Sequence, residues 1–204
     1  MTAIILDLSP VIKLTDEQFY QLCQANRDLK LERTVVGELI VMPPTGGGSG
    51  QRNANLTTDL NLWNRQTKLG VVFDSSTGFS LPNGGDRSPD ASWVKLERWD
   101  ALTSEEQEGF PPICPDFVIE LRSRTDSLKA LQTKMQEYLA SDLRLGWLLD
   151  PQNQRVEIYR LGRDVEIQYS PGSLSGEDVL PGFVLELQGN FVAVRLPVPR
   201  VIAT

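Results

Sequence analysis

The segment that most constrains the fold is Asp116 to Ser123 (DFVIELRS), a short, core-like run with a carboxylate near its centre. Pro115 bounds it on one side and polar Arg124-Thr125-Asp126 on the other, so it reads as a strand. Alternation sets Asp116, Val118, Glu120 and Arg122 on one face. At ~3.3 Å per residue, Asp116 and Glu120 lie about 13 Å apart, too far to share one ion, whereas Glu120 and Arg122 are only about 7 Å apart. A charge in the middle of such a strand costs stability unless it is paired or bound to metal. The plainer explanation is a salt bridge from Glu120 to a nearby cation on a solvated sheet face. The functional one is a metal ligand.

The surrounding pattern predicts a mixed sheet flanked by helices in a single α/β domain. Thr15-Asp16-Glu17-Gln18 has the form of a capping box, with Phe19, Leu22 and Cys23 at helical spacing, which predicts a helix over about 15–27. Arg33 to Met42 predicts one strand, 45–50 (TGGGSG) a flexible connection, and Asn53 to Trp63 a second helix through Leu56, Leu60 and Trp63. Val71–Phe73 and Gly78–Leu81 are short strands around a turn, and Asp90–Val94 is another. Residues 97–113, with Trp99, form a surface excursion. Leu128, Leu131, Met135, Tyr138 and Leu139 share one face of a helix over about 126–140, with Thr125 or Asp126 as its N-cap. Leu145–Leu149 and Arg155–Tyr159 form a hairpin, and Val165–Tyr169 and Phe183–Leu187 an antiparallel end.

The chain has 204 residues, enough for one buried core. It contains no histidine, which excludes histidine-based triads and HExxH zinc sites. Its two cysteines, Cys23 and Cys114, lie outside any CxxC, so acid–base or metal chemistry rests on carboxylates and lysines. The net charge of −7 argues against a protein that coats nucleic acid but leaves room for local phosphate contacts. No apolar run reaches the ~20 residues of a membrane span, and the opening MTAIILDLSP lacks a signal-peptide pattern, so a cytoplasmic location is expected.

If the strand opened by Pro89-Asp90 pairs with the one carrying Glu120, their carboxylates converge on one hard cation, for which oxygen ligands suit Mg²⁺ or Mn²⁺. Lys134 lies beside Leu131 and Tyr138 at the edge of the apolar helix face. Its stem can follow the sheet while the ammonium reaches inward; the alternative is a solvated lysine on a helix flank.

Pro89-Asp90 followed by Glu120-Leu121-Arg122 resembles the PD-(D/E)xK nuclease signature, with arginine at the usual lysine position. The stretch from Pro115 to Pro151 (PDFVIELRSRTDSLKALQTKMQEYLASDLRLGWLLDP) closely resembles the Uma2, or DUF820, family of restriction-endonuclease-like proteins. VVGELIVMPPT (Val35 to Thr45), RSPDASWV (Arg87 to Val94) and VEIYR (Val156 to Arg160) match in order, over a core of about residues 10–195. Gln51-Arg52-Asn53 departs from relatives that often place a histidine there. The resemblance implies a restriction-endonuclease-like fold and Mg²⁺- or Mn²⁺-dependent cleavage of phosphodiester bonds, with DNA the expected substrate. It implies Asp90 and Glu120 as metal ligands, with the carbonyl of Leu121 as a third and Glu38 as a further acidic candidate. Lys134 is the first candidate for the catalytic lysine and Arg122 the alternative; Arg122, Arg124 and Lys129 are the expected phosphate contacts. Restriction-like domains often pair, which makes a homodimer an expectation. Two rivals stand beside this reading: a catalytically degenerate nuclease fold that binds nucleic acid or a protein, and a structural module with Trp99 and the C-terminal strands on a dimer surface.

Overall fold

A computed structural model describes residues 3–187, so residues 188–195 of the expected core lie outside the described residues. The chain begins with β1 (Ile4–Leu6), α1 (Asp16–Ala25), β2 (Lys30–Arg33), β3 (Leu39–Met42) and α2 (Gly47–Thr67). Next come β4 (Gly70–Asp74), β5 (Phe79–Ser80), β6 (Asp86–Arg87), β7 (Ala91–Lys95), α3 (Leu96–Asp100) and α4 (Ser104–Glu108). Then follow β8 (Phe117–Leu121), α5 (Leu128–Leu139), β9 (Leu145–Asp150), β10 (Arg155–Arg160), β11 (Glu166–Tyr169), β12 (Ser173–Ser175) and β13 (Val184–Glu186).

The main sheet has the order β11-β10-β9-β8-β7-β4 and is mixed: β8 and β9 are parallel, joined through α5, and the other neighbours are antiparallel. Each face is covered by a helix. Leu56, Leu60 and Trp63 of α2 pack with Trp93, Phe117, Ile119 and Trp147 on one face, while Met135 and Tyr138 of α5 pack with Val94, Val118 and Leu148 on the other. With both faces buried, every residue of β8 is buried, Glu120 included. Among the described residues, no solvated face of β8 is left to excuse its charge.

A second sheet, β1-β3-β2-β6-β5, is antiparallel and carries α1, whose Phe19 packs on Leu31 and Leu39. The capping box is present: Thr15 caps the backbone of Gln18, and the Gln18 side chain returns to the backbone of Thr15. β6 and β7 are separated only by Ser88, Pro89 and Asp90, so the two sheets meet where the Pro-Asp pair stands.

Several elements differ from their sequence expectation. The run Arg33–Met42 is not one strand. It folds back at Gly37, whose φ of +93° suits glycine, with Gly37 N–H donating to Thr34 O and Thr34 N–H to Glu38 O. The β-branched Val35 and Val36 therefore occupy an exposed turn. The glycine run expected to be a flexible connection forms the first turn of α2, because packing of the apolar face outweighs the poor helix propensity of glycine. β4 and β5 do not pair across a turn; they belong to different sheets. The N-cap of α5 is Ser127, whose Oγ accepts from the Ala130 N–H, while Asp126 accepts instead from the Ser123 N–H. Trp99 is half-buried against Phe73, at the edge of the α5-side core.

Candidate active site

The β7–β8 register pairs Ala91 with Ile119 and Ser92 with Val118; one step further it sets Asp90 opposite Glu120. No ladder bond closes that last step. Instead Asp90 Oδ2 accepts the N–H of Leu121 at 2.8 Å, and Oδ1 accepts from Asn53 Nδ2 at 2.7 Å. The Leu121 carbonyl leaves the strand on the same edge as its N–H, toward Asp90, as extended backbone requires. Asp90 is only partly buried, whereas Glu120 is 2% exposed. The two carboxylates thus sit side by side at a sheet end, one open to solvent and one deep.

Lys134 arrives from α5. Its Nζ lies 2.8 Å from Glu120 Oε1, 2.8 Å from Glu32 Oε1 and 3.2 Å from the carbonyl of Ser88. An ammonium has three N–H donors, and all three are used. Tyr138 Oη donates to the same Glu120 oxygen at 3.0 Å. These bonds fall on Oε1; Oε2 takes no hydrogen bond or ion pair among the described residues.

The network extends beyond the residues expected from sequence. Glu32 Oε2 pairs with Arg87 Nη1 at 3.0 Å, and Glu32 Oε1 also accepts the Ser88 N–H at 3.0 Å. Arg87 Nη2 lies 2.6 Å from Glu137 Oε2. Glu32 and Arg87 come from the second sheet, Glu137 from α5, and all three are buried. Their signal in the sequence is slight: Glu32 is an acid next to Leu31 in a strand, and Arg87 precedes Ser-Pro-Asp by nothing more than adjacency. Only the folding of the β2–β3 hairpin against α5 makes them partners.

Four carboxylates (Glu32, Asp90, Glu120 and Glu137) face two cations (Lys134 and Arg87), an excess of two negative charges. The strain falls on Glu120. Burial first, then the carboxylates of Asp90 and Glu32, push its pKa up to about 7 against the pull of Lys134. Burial also works to raise Glu32, but Lys134 and Arg87 outweigh it and hold that carboxyl at about 2. Burial disfavours the Lys134 ammonium, yet Glu120 and Glu32 outweigh it and raise its pKa. Burial and the Glu120 charge raise Tyr138 well above its ordinary value, so the phenol stays a donor.

The other expected residues are placed as follows. Glu38 lies in the β2–β3 turn, and no ion pair among the described residues reaches it; the hairpin's acid in the network is Glu32. Arg122 does not meet Glu120. Its Nη1 lies 2.8 Å from Asp150 Oδ2 and its Nε donates to the carbonyl of Asp126. Arg124 and Lys129 are exposed at the connection from β8 into α5.

Among the described residues no group of three or more His, Cys, Asp or Glu side chains is arranged to hold a metal ion. The donors present are two neighbouring carboxylates and an adjacent backbone carbonyl; beside them is the buried Asn53 Oδ1, which has no hydrogen-bond partner among the described residues. Hard oxygens, few in number and beside a surplus of two negative charges, fit a divalent cation that keeps most of its water.

A family model described as "Uma2: Putative restriction endonuclease" matches residues 16–188. Among solved structures, a crystal structure described as "a putative nuclease belonging to DUF820 from Anabaena variabilis ATCC 29413" superposes with a TM-score of 0.74. It is 20% identical, and the match covers 87% of this chain and 97% of that one. At that identity the likeness establishes the fold. No curated protein matches the sequence. No helix among the described residues is long and apolar enough to cross a membrane.

Proposed function

The chain belongs to the Uma2 family, and from that premise we propose that it is an endonuclease that uses Mg²⁺ or Mn²⁺ to hydrolyse phosphodiester bonds, with DNA as substrate. The observation that carries this reading is the pairing of Asp90 with Glu120 at a sheet end, inside a network short of two positive charges. Asp90 and Glu120 would hold the cation, with the Leu121 carbonyl beside them. Such an ion supplies charge stabilisation at a phosphoryl oxygen and lowers the pKa of water next to it.

The chain's own residues do the rest. The Leu121 N–H and the Asn53 amide fix the Asp90 carboxylate from two directions. Tyr138 and Lys134 fix Glu120 through Oε1 and leave Oε2 to face the site. Glu32 and the Ser88 carbonyl hold the Lys134 ammonium at the inner wall, where it stabilises negative charge gathering on the phosphate. Arg124 and Lys129, exposed where β8 passes into α5, hold flanking phosphates. Arg122, tied to Asp150, supports the strand end; Lys134 is the candidate catalytic cation.

One observation favours a second reading. All three donors of Lys134 are taken by protein groups and Arg122 is tied to Asp150 and Asp126, as expected of a nuclease fold that retains the scaffold but binds nucleic acid or a protein without cutting. Cleavage of plasmid DNA with Mn²⁺ separates the two. Activity in the wild type that disappears in both Asp90→Ala and Glu120→Ala supports the nuclease. Equal residual cleavage in all three proteins points to contamination, and overturns it.

A further inference from the structure

Asn53 stands on α2, the helix that covers the sheet face opposite Lys134, and reaches round the sheet end to Asp90. Its bond to Asp90 fixes which way the amide points: turned over, it would set its oxygen against a carboxylate oxygen. Nδ2 is therefore the inward donor and Oδ1 the other end. That oxygen is buried and has no hydrogen-bond partner among the described residues. The other buried polar atoms without partners belong to Ser92, Ser141, Trp147 and Arg155, and none of those side chains is bonded to Asp90 or Glu120. A buried acceptor is normally satisfied, and this one is next to the carboxylate proposed to hold a hydrated ion.

We propose that Asn53 is a positioning residue of the cation site: Nδ2 orients Asp90, and Oδ1 accepts a hydrogen bond from a water carried by the divalent ion. A cation held by two carboxylates keeps several waters, and each needs acceptors for its O–H groups. One amide bonding both the ligand and the ion's water fixes the two together, as outer-shell partners of metal sites do. The inference rests on the cation reading above.

The test is calorimetric titration of the full chain with Mn²⁺, beside melting of the metal-free proteins. Alanine is favoured in a helix, so Asn53→Ala keeps the metal-free melting temperature near that of the wild type. Its Mn²⁺ affinity is expected to fall by about ten- to a hundredfold. Asn53→Gln restores a donor and an acceptor on a stem one methylene longer, adds no charge beside Asp90, and is expected to recover part of that loss. Asn53→Ala binding Mn²⁺ within twofold of wild type overturns the assignment. So does Asn53→Gln binding no better than Asn53→Ala, since restoring the amide would then restore nothing. Failure of the wild type to take up Mn²⁺ at millimolar concentration brings down the cation reading itself, and Asn53 with it.

Discussion

Lys134 pairs with two buried carboxylates at once, so its removal tests the network directly. Breaking a buried ion pair on one side costs about 3–5 kcal/mol. Urea denaturation of Lys134→Met is expected to show a loss of that size, and adding Glu120→Gln should recover part of it. An unchanged midpoint would mean that the ammonium is not the counter-ion. The two acids also respond oppositely to pH. Glu32 is lowered from 4.5 to about 2, so the stability it contributes is whole above 4.5 and is lost as pH falls through about 2. Glu120 is raised from 4.5 to about 7: between those values the folded chain holds a proton the unfolded chain has lost, and stability declines as pH rises through that window. Denaturation midpoints between pH 5 and pH 8 should therefore slope downward in the wild type and flatten in Glu120→Gln. A slope that survives this substitution would place the titration elsewhere.

At the scale of elements, the site is held by how closely helix and strand approach. Gly146 of β9 lies under α5, where a Cβ would come within 2.5 Å of Met135 Cε and 2.8 Å of Leu143 Cδ2. Those are ends of flexible side chains, so Gly146→Ala should cost about 1–3 kcal/mol as they move aside. Gly70 of β4 is more rigidly enclosed: a Cβ there would meet the backbone oxygen of Val94 at 2.2 Å and the Trp93 ring at 2.4 Å. Gly70→Ala is therefore expected to lower the urea midpoint more than Gly146→Ala, and the reverse order would contradict the packing. At the other end of the chain, Thr15→Ala removes a capping-box hydroxyl and should cost about 1 kcal/mol.

At the scale of the whole molecule, the site lies where one sheet hands the chain to the other through Ser88-Pro89-Asp90, and its charge balance is set jointly by both sheets and α5. A divalent ion that relieves the surplus should raise the melting temperature, and more at pH 8 than at pH 5.5, because it competes with a proton on Glu120. Loss of this shift in Asp90→Ala, measured by differential scanning fluorimetry, checks the ligand. Much of this was legible in advance: apolar periodicity marked α1, α5 and the strands from β7 to β10, Glu120 stood out as a charge in a position that resists burial, and Asp90 and Lys134 were marked by the Pro-Asp motif and by the edge of an apolar helix face. Glu32, Arg87, Glu137 and Asn53 were not legible, nor was the turn at Gly37 that moved the hairpin's acid from Glu38 to Glu32. The sequence by itself determined where α1, α5 and the strands from β7 to β10 form and that Glu120 needs a partner, because periodicity and the cost of an unpaired charge are local properties. Only the tertiary structure decided which charges meet, because their partners lie as far apart along the chain as Glu32 and Lys134, joined by packing that no spacing encodes.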